Sequence, residues 1–187
     1  MRKQIVMSGI VALTIAFSAF SGCANQSTSE NTPRASQPGN HANMDHSTSS
    51  EVPKGLKEAS NPTFKVGSQA IIHADHMEGM NGATAKIVGA YDTTVYTVSY
   101  TPTTGGPKVT NHKWVIQEDI KDADDKSFEV GAEVVLNAEH MKGMMGATAK
   151  IDSAEKTTVY MVDYTPTTGG EVVKSHKWIT ESELSVK

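Results

Sequence analysis

The chain has 187 residues, 17 basic and 21 acidic side chains, a net charge of −4 and a single cysteine. A mildly acidic chain makes a poor partner for nucleic acid or for an anionic membrane surface, so neither is expected as its main target. One cysteine excludes a disulfide framework and any metal cage built from thiolates.

Residues 1–23 read as a targeting segment. Arg2 and Lys3 open it, an apolar run follows from about Ile5 to Phe20, and Phe20-Ser21-Gly22-Cys23 closes it. The run is shorter than the roughly 20 residues of a spanning helix. Small residues before a cysteine after such a run indicate a bacterial lipoprotein signal, cut before Cys23, whose thiol carries lipid. The expected location is therefore the outer face of the cytoplasmic membrane, held there by the lipid. Loss of Arg2 and Lys3 leaves 15 basic against 21 acidic side chains, a net charge of −6.

Residues 24–60 are rich in Ser, Thr, Asn, Gln, Pro and Gly and poor in large apolar side chains. Such a stretch cannot bury enough surface to offset its ordering entropy, so it is expected as a disordered polar stalk. Its one unusual feature is "HANMDH", with His41, Met44 and His46.

From Phe64 onward the chain repeats at a constant offset of 64. "FKVG" returns as "FEVG", "TTVYTVSYTPTTGG" as "TTVYMVDYTPTTGG", and "HKWV" as "HKWI". The expected organisation is two small tandem domains, residues 61–122 and 125–187, joined at Asp122–Asp125. Within the first copy, Val66 to Ile72, Ala83 to Val88, Thr93 to Tyr100 and Val109 to Ile116 read as strands. "TPTTGG" reads as a hairpin loop, and Gln117–Ile120 and Glu181–Leu184 as short helical turns. The fold class is thus mainly β, as two SH3-like, KOW-like barrels, one per repeat.

Chemistry concentrates in a second repeated phrase, "HADHMEGMNGATAKI" from His73 and "NAEHMKGMMGATAKI" from Asn137. Seven histidines occur, at 41, 46, 73, 76, 112, 140 and 176. All lie in the stalk motif, in or beside these loops, or at the start of the His-Lys-Trp strands. Met77, Met80, Met141, Met144 and Met145 share the loops, Met44 sits in the stalk, and only Met161 is on a strand. Thioether is soft and imidazole borderline, a combination that suits Cu(I), whereas hard ions want clustered carboxylates and Zn prefers Cys or three His. Met at three-residue spacing also fills cores, so each copy alone is ambiguous.

The expected ligand sets are His76, Met77, Met80 and His112 in one repeat, and His140, Met141, Met144 and His176 in the other. Alternate strand residues share a face, so Trp114 and Trp178 are expected beside His112 and His176, shielding Cu(I) by cation–π contact. His73, Met145, His41, Met44 and His46 are additional candidates. A half-buried Trp next to a hydrogen-bonded His would account for the same pattern without a ligand.

A lipobox cysteine, a His/Met stalk and tandem "HMxGMxGATAKI…TTVYxVxYTPTTGG…HKW" units resemble the YdhK-type lipoproteins of Gram-positive bacteria, including CopL-like members associated with copper tolerance. The resemblance covers both repeats. It implies a copper-binding surface lipoprotein and not an enzyme, one that sequesters the ion or hands it to an exporter or oxidase. No catalytic constellation stands out in the residues themselves. The rival reading is an envelope-interaction module that binds cell wall or a protein through its aromatic side chains.

Overall fold

The computed structural model describes residues 49–187. The expected signal and most of the expected stalk, with Cys23, His41, Met44 and His46, lie outside the described residues. Two strands of 17 residues dominate what is described: β3 (Thr84–Tyr100) and β6 (Thr148–Tyr164), where β1 is Lys57–Glu58, β2 Gln69–Ile72, β4 Val109–Ile116 and β5 Glu133–Val135. β7 (Val173–Thr180) and β8 (Leu184–Val186) complete a mainly β fold. Short 3₁₀ turns at Gln117–Asp119 and Glu181–Glu183 fall where helical turns were expected.

The second and third expected strands are one. No turn interrupts β3 between Val88 and Thr93, because β3 stays paired with β6 along its length, from Ala85↔Tyr164 to Tyr100↔Ala149. Register shifts between Ile87 and Gly89 and between Thr97 and Val98 absorb bending without ending the strand. Thr93 faces Thr157 at the centre, and these are equivalent positions of the two repeats. A pseudo-twofold axis therefore passes between them.

Four other strands pair within their own repeat, at opposite ends of the long strands. β2 pairs with the first half of β3 and β5 with the first half of β6, while β4 and β7 pair with the second halves. β8 then crosses from the second repeat to pair with β2 of the first. All eight strands join one sheet.

The cores follow this exchange. One combines Phe64, Ile72, Met80 and Ile87 with Tyr160, Val162, Tyr164 and Leu184. The other combines Tyr96, Val98, Tyr100 and Val115 with Leu136, Met144, Ala149 and Ile151. Each fully buried large side chain contributes about 1.5–3 kcal/mol relative to exposure, so neither repeat can leave the other without uncovering half of two cores. The sequence unit and the packing unit thus differ: residues 61–122 and 125–187 share one sheet and both cores.

A third apolar cluster holds Val95, Trp114, Ile116, Val159, Met161 and Trp178, drawn from both repeats. Leu56 packs against it, Ala59 N–H donates to Ala90 O at 2.9 Å, and Lys177 Nζ donates to Glu51 O. The end of the expected stalk, residues 51–60, is therefore laid onto the sheet, held by two of its few apolar side chains and by β1. Among the described residues no helix is long and apolar enough to cross a membrane.

Candidate metal centres

The His-Met loops are short turns closed by backbone bonds from Met80 N to Met77 O and from Met144 N to Met141 O, both 3.2 Å. The reversal sends the two methionines of each loop to different places. Met80 and Met144 are 0% exposed and belong to the two cores. Both expected ligands thus stand among apolar core side chains. Met77 stays half-buried at the rim, and Met141 is buried beside Tyr100.

Each loop is clamped by the "TPTTGG" hairpin of the opposite repeat. Thr167 N donates to Gly79 O at 2.8 Å and Thr103 N to Gly143 O at 2.9 Å. A Cβ on Gly79 would lie 2.6 Å from Thr168 Oγ1, and one on Gly143 would lie 2.5 Å from Thr104 Oγ1. The glycines are required by this close approach as well as by their φ of +74° and +80°.

Around the first loop, His76 Nε2 lies 2.9 Å from Glu183 Oε1, and its side chain is 7% exposed. Trp114 Nε1 donates to Glu183 Oε2 at 2.8 Å, as does Thr180 N at 3.1 Å. The His176 ring centroid is 6.5 Å from that of His76 and 5.9 Å from that of Tyr164. Tyr164 Oη donates to Met77 Sδ at 3.6 Å. Burial pushes the Tyr164 phenol up to about 12, so it remains a neutral donor.

The second loop repeats the arrangement with a shorter acid. His140 Nε2 lies 3.1 Å from Asp119 Oδ2, and Trp178 Nε1 donates to the same oxygen at 3.3 Å. Tyr100 Oη is 3.9 Å from Met141 Sδ, and the Tyr100 ring meets His112 edge-on at 6.0 Å.

Two expectations about grouping are therefore revised. His176 stands with His76 and Met77, and His112 stands with Tyr100 and Met141, so the strand histidines are exchanged between the loops. His112 and Trp114 do not share a surrounding either. From Val98 to Tyr96 β3 advances two residues while β4 advances three, from His112 to Val115. That extra residue reverses the face on which the next side chain falls. The same shift separates Val162↔His176 from Tyr160↔Ile179 in the second half. Lys113–Trp114 and Lys177–Trp178 are cis peptide bonds.

The remaining candidates scatter. His73 is exposed and its Nε2 lies 2.7 Å from Ser185 Oγ, and Met145 is 42% exposed. Trp114 and Trp178 are 8% and 0% exposed, packed in the third cluster with Lys113 Nζ 5.1 Å over the Trp114 ring. Their indole N–H groups orient carboxylates.

Glu183, Asp119, Tyr164 and Tyr100 are the site residues that sequence reasoning overlooked. The offset of 64 links Asp119 to Glu183 and Tyr100 to Tyr164, which is the signal that marks them. Among the described residues no three His, Asp or Glu side chains converge as a hard-metal cluster.

Two imidazoles on one ion, with bonds of about 2.0 Å, have centroids roughly 6 Å apart when opposed, close to the 6.5 Å between His76 and His176. With Met77 beside them, the donor set is soft to borderline and fits Cu(I).

Both His-Met loops and both His-Lys-Trp strands fall inside two matches to one family pattern. The chain belongs to the DUF1541 family, described as proteins of unknown function, whose pattern matches residues 66–117 and 130–181. A relative, the uncharacterized protein YdhK of Bacillus subtilis (strain 168), is 61% identical over 181 residues, covering 96% of this chain and 88% of its own. The crystal structure of a DUF1541 family protein (ydhK) from Bacillus subtilis superposes with a TM-score of 0.75 at 68% identity, covering 76% of this chain and 97% of that one. A solution NMR structure of the ydhK C-terminal domain gives a TM-score of 0.64 at 69% identity, over 66% of this chain and 94% of the other.

Proposed function

We propose that this protein is a lipid-anchored binding protein of the cell envelope that takes up copper as Cu(I). Cys23 carries the anchor, and the bound ion is cargo, sequestered or handed to an exporter or oxidase, with no reaction catalysed on it. The observation that carries the reading is the meeting of His76 and Met77 from one repeat with His176 from the other, in a buried setting where a carboxylate holds the loop imidazole. His140, Met141 and His112 are the corresponding donors of the second site.

Soft donors brought together at a largely buried site favour Cu(I) over Zn, Mg or Ca. Imidazoles that ligate metals commonly give their other ring N–H to a carboxylate, as the His76–Glu183 and His140–Asp119 pairs are arranged to do. The envelope-interaction reading relied on Trp114, Trp178 and the tyrosines as contact residues, and of these only Tyr91 is not buried.

The test is a Cu(I) titration of residues 24–187 against a competing chelator, with Cu(II) and Zn in parallel. Tight Cu(I) binding, lost when Met77 and Met141 become Leu and His112 and His176 become Gln, is the expected result. Absence of Cu(I) binding in the unaltered protein would sink the proposal.

A further inference from the structure

Glu183 is surrounded by donors, and they are not spread evenly over its two oxygens. Oε2 accepts from Trp114 Nε1 at 2.8 Å, from Thr180 N at 3.1 Å and from Thr180 Oγ1 at 3.0 Å. Oε1 faces His76 Nε2 at 2.9 Å and Lys113 Nζ at 3.6 Å. Trp114 Nε1–H, Thr180 N–H and the Lys113 ammonium can only donate, so both carboxyl oxygens serve as acceptors, as those of a carboxylate do. An ionised carboxylate has no proton to give. The proton in the His76–Glu183 bond therefore sits on Nε2 of the imidazole, and a neutral ring must then leave Nδ1 bare.

We propose that Glu183 is a positioning residue that locks neutral His76 as the Nε2–H tautomer, so that Nδ1 is the nitrogen His76 presents to a soft metal ion. The tautomer stands on the geometry alone. That Nδ1 takes a metal rests on the copper reading given above.

The uneven distribution of donors makes the lock reversible by one atom. In Glu183→Gln the amide has one oxygen and one NH₂. Trp114 and Thr180 donate to the Oε2 position, so the amide oxygen must go there. The NH₂ then faces His76 Nε2, and a donor facing Nε2 requires a bare nitrogen at that place. The ring proton moves to Nδ1, and the nitrogen meant for the metal is capped. Lys113 is 43% exposed and can swing away from the new NH₂.

The second site does not share this property. His140 Nε2 and Trp178 Nε1 lie on the same oxygen, Asp119 Oδ2. In Asp119→Asn the amide oxygen can take that position and accept from both, so the His140 tautomer is kept.

The experiment is a long-range ¹H–¹⁵N spectrum of the histidine rings in the metal-free mature protein at pH 8, where an ordinary imidazole is neutral. It is paired with Cu(I) affinity by chelator competition. The unaltered protein should show His76 with a protonated Nε2 and a bare Nδ1. Glu183→Gln should show the reverse at His76 with His140 unchanged, and Asp119→Asn should leave His140 as Nε2–H. The Cu(I) affinity of the first site should fall about 10- to 100-fold in Glu183→Gln.

A bare Nε2 on His76 in the unaltered protein overturns the proposal, whether or not the variant folds. So does an Nε2–H tautomer that persists in a folded Glu183→Gln. If the tautomers behave as stated and no form binds Cu(I), the lock stands and the copper reading fails. If Cu(I) binds the unaltered protein and the reversed variant equally well, the copper reading stands and Nδ1 is not the donor.

Discussion

The clamp between each His-Met loop and the opposite hairpin can be measured by adding one carbon atom. Gly143 and Gly146 sit three residues apart in the second loop with φ of +80° and +74°. An alanine at either pays the same backbone penalty for the left-handed region, about 1–2 kcal/mol. Their surroundings differ. A Cβ on Gly146 meets nothing within 4 Å, whereas one on Gly143 lies 2.5 Å from Thr104 Oγ1, 3.0 Å from Pro102 Cβ and 3.3 Å from Thr104 N. Thr104 can rotate its hydroxyl away, but the proline ring and the backbone nitrogen cannot move unless the hairpin retreats. Overpacking of this kind adds about 1–3 kcal/mol. Gly146→Ala is thus expected to lose about 1–2 kcal/mol and Gly143→Ala about 2–5 kcal/mol, measured by urea unfolding of residues 24–187 with m-values compared. Since Thr104 belongs to the first repeat and Gly143 to the second, the difference reads the exchange of halves directly. Equal losses in the two variants would show that the hairpin does not press on the loop, and the exchanged arrangement would fall with it.

Three further outcomes follow from the same geometry. Met80→Leu and Met144→Leu should change Cu(I) affinity little and stability by less than about 1.5 kcal/mol, as volume-conserving core swaps do, while Met77→Leu and Met141→Leu should weaken Cu(I) binding at unchanged stability; parallel chelator competition and urea melts separate them. The Glu183 carboxyl lies at about 2 in the fold against an ordinary 4.5, so its contribution, about 3 kcal/mol, is complete above pH 4.5 and is lost as the pH falls through 2. Acid unfolding of Glu183→Gln should show a flatter dependence across that window, and an identical slope would contradict the depressed value. Finally, a protease site placed between Asp124 and Asp125 should be cut without separating the pieces, because both cores draw on both sides of the cut; two species of half mass on gel filtration would refute this.

How far the residues announced this arrangement depends on the range of the interaction. The period-2 alternation of Thr93–Tyr100 and Val109–Ile116, the "TPTTGG" turn and the two short helical turns are local properties, and the structure places elements where they were expected. The repeat also pointed to the right loops. What local pattern could not carry was which copy of each half pairs with which. "GATAKIVGAYDTTVY" reads as two strands with residues 89–92 left between them, and only the facing strand, with equivalent residues opposed at Thr93 and Thr157, keeps the whole stretch extended. Identical repeats satisfy the pattern equally well closed on themselves or exchanged, since every apolar position finds the same kind of partner either way.

The site inherits that ambiguity. His112 and His176 were legible as candidates, but a single extra residue between His112 and Val115 decides which side Trp114 takes, and the exchange decides which loop each histidine meets. The methionines illustrate the converse. Met77 and Met80 are chemically alike and three residues apart, yet the backbone bond between them closes a turn that leaves one at the rim beside Tyr164 and drives the other into the core. A duplicated motif therefore marks both ligands and packing with the same signal. What distinguishes them is the polar neighbour: Met77 and Met141 each receive a tyrosine hydroxyl and stand next to a histidine tied to a carboxylate, whereas Met80 and Met144 belong to apolar clusters. The conserved offset of the acids at 119 and 183 is the part of the pattern that no core requires. A buried acid is tolerated only where donors compensate its desolvation, so its repetition in both halves points to the imidazoles it holds.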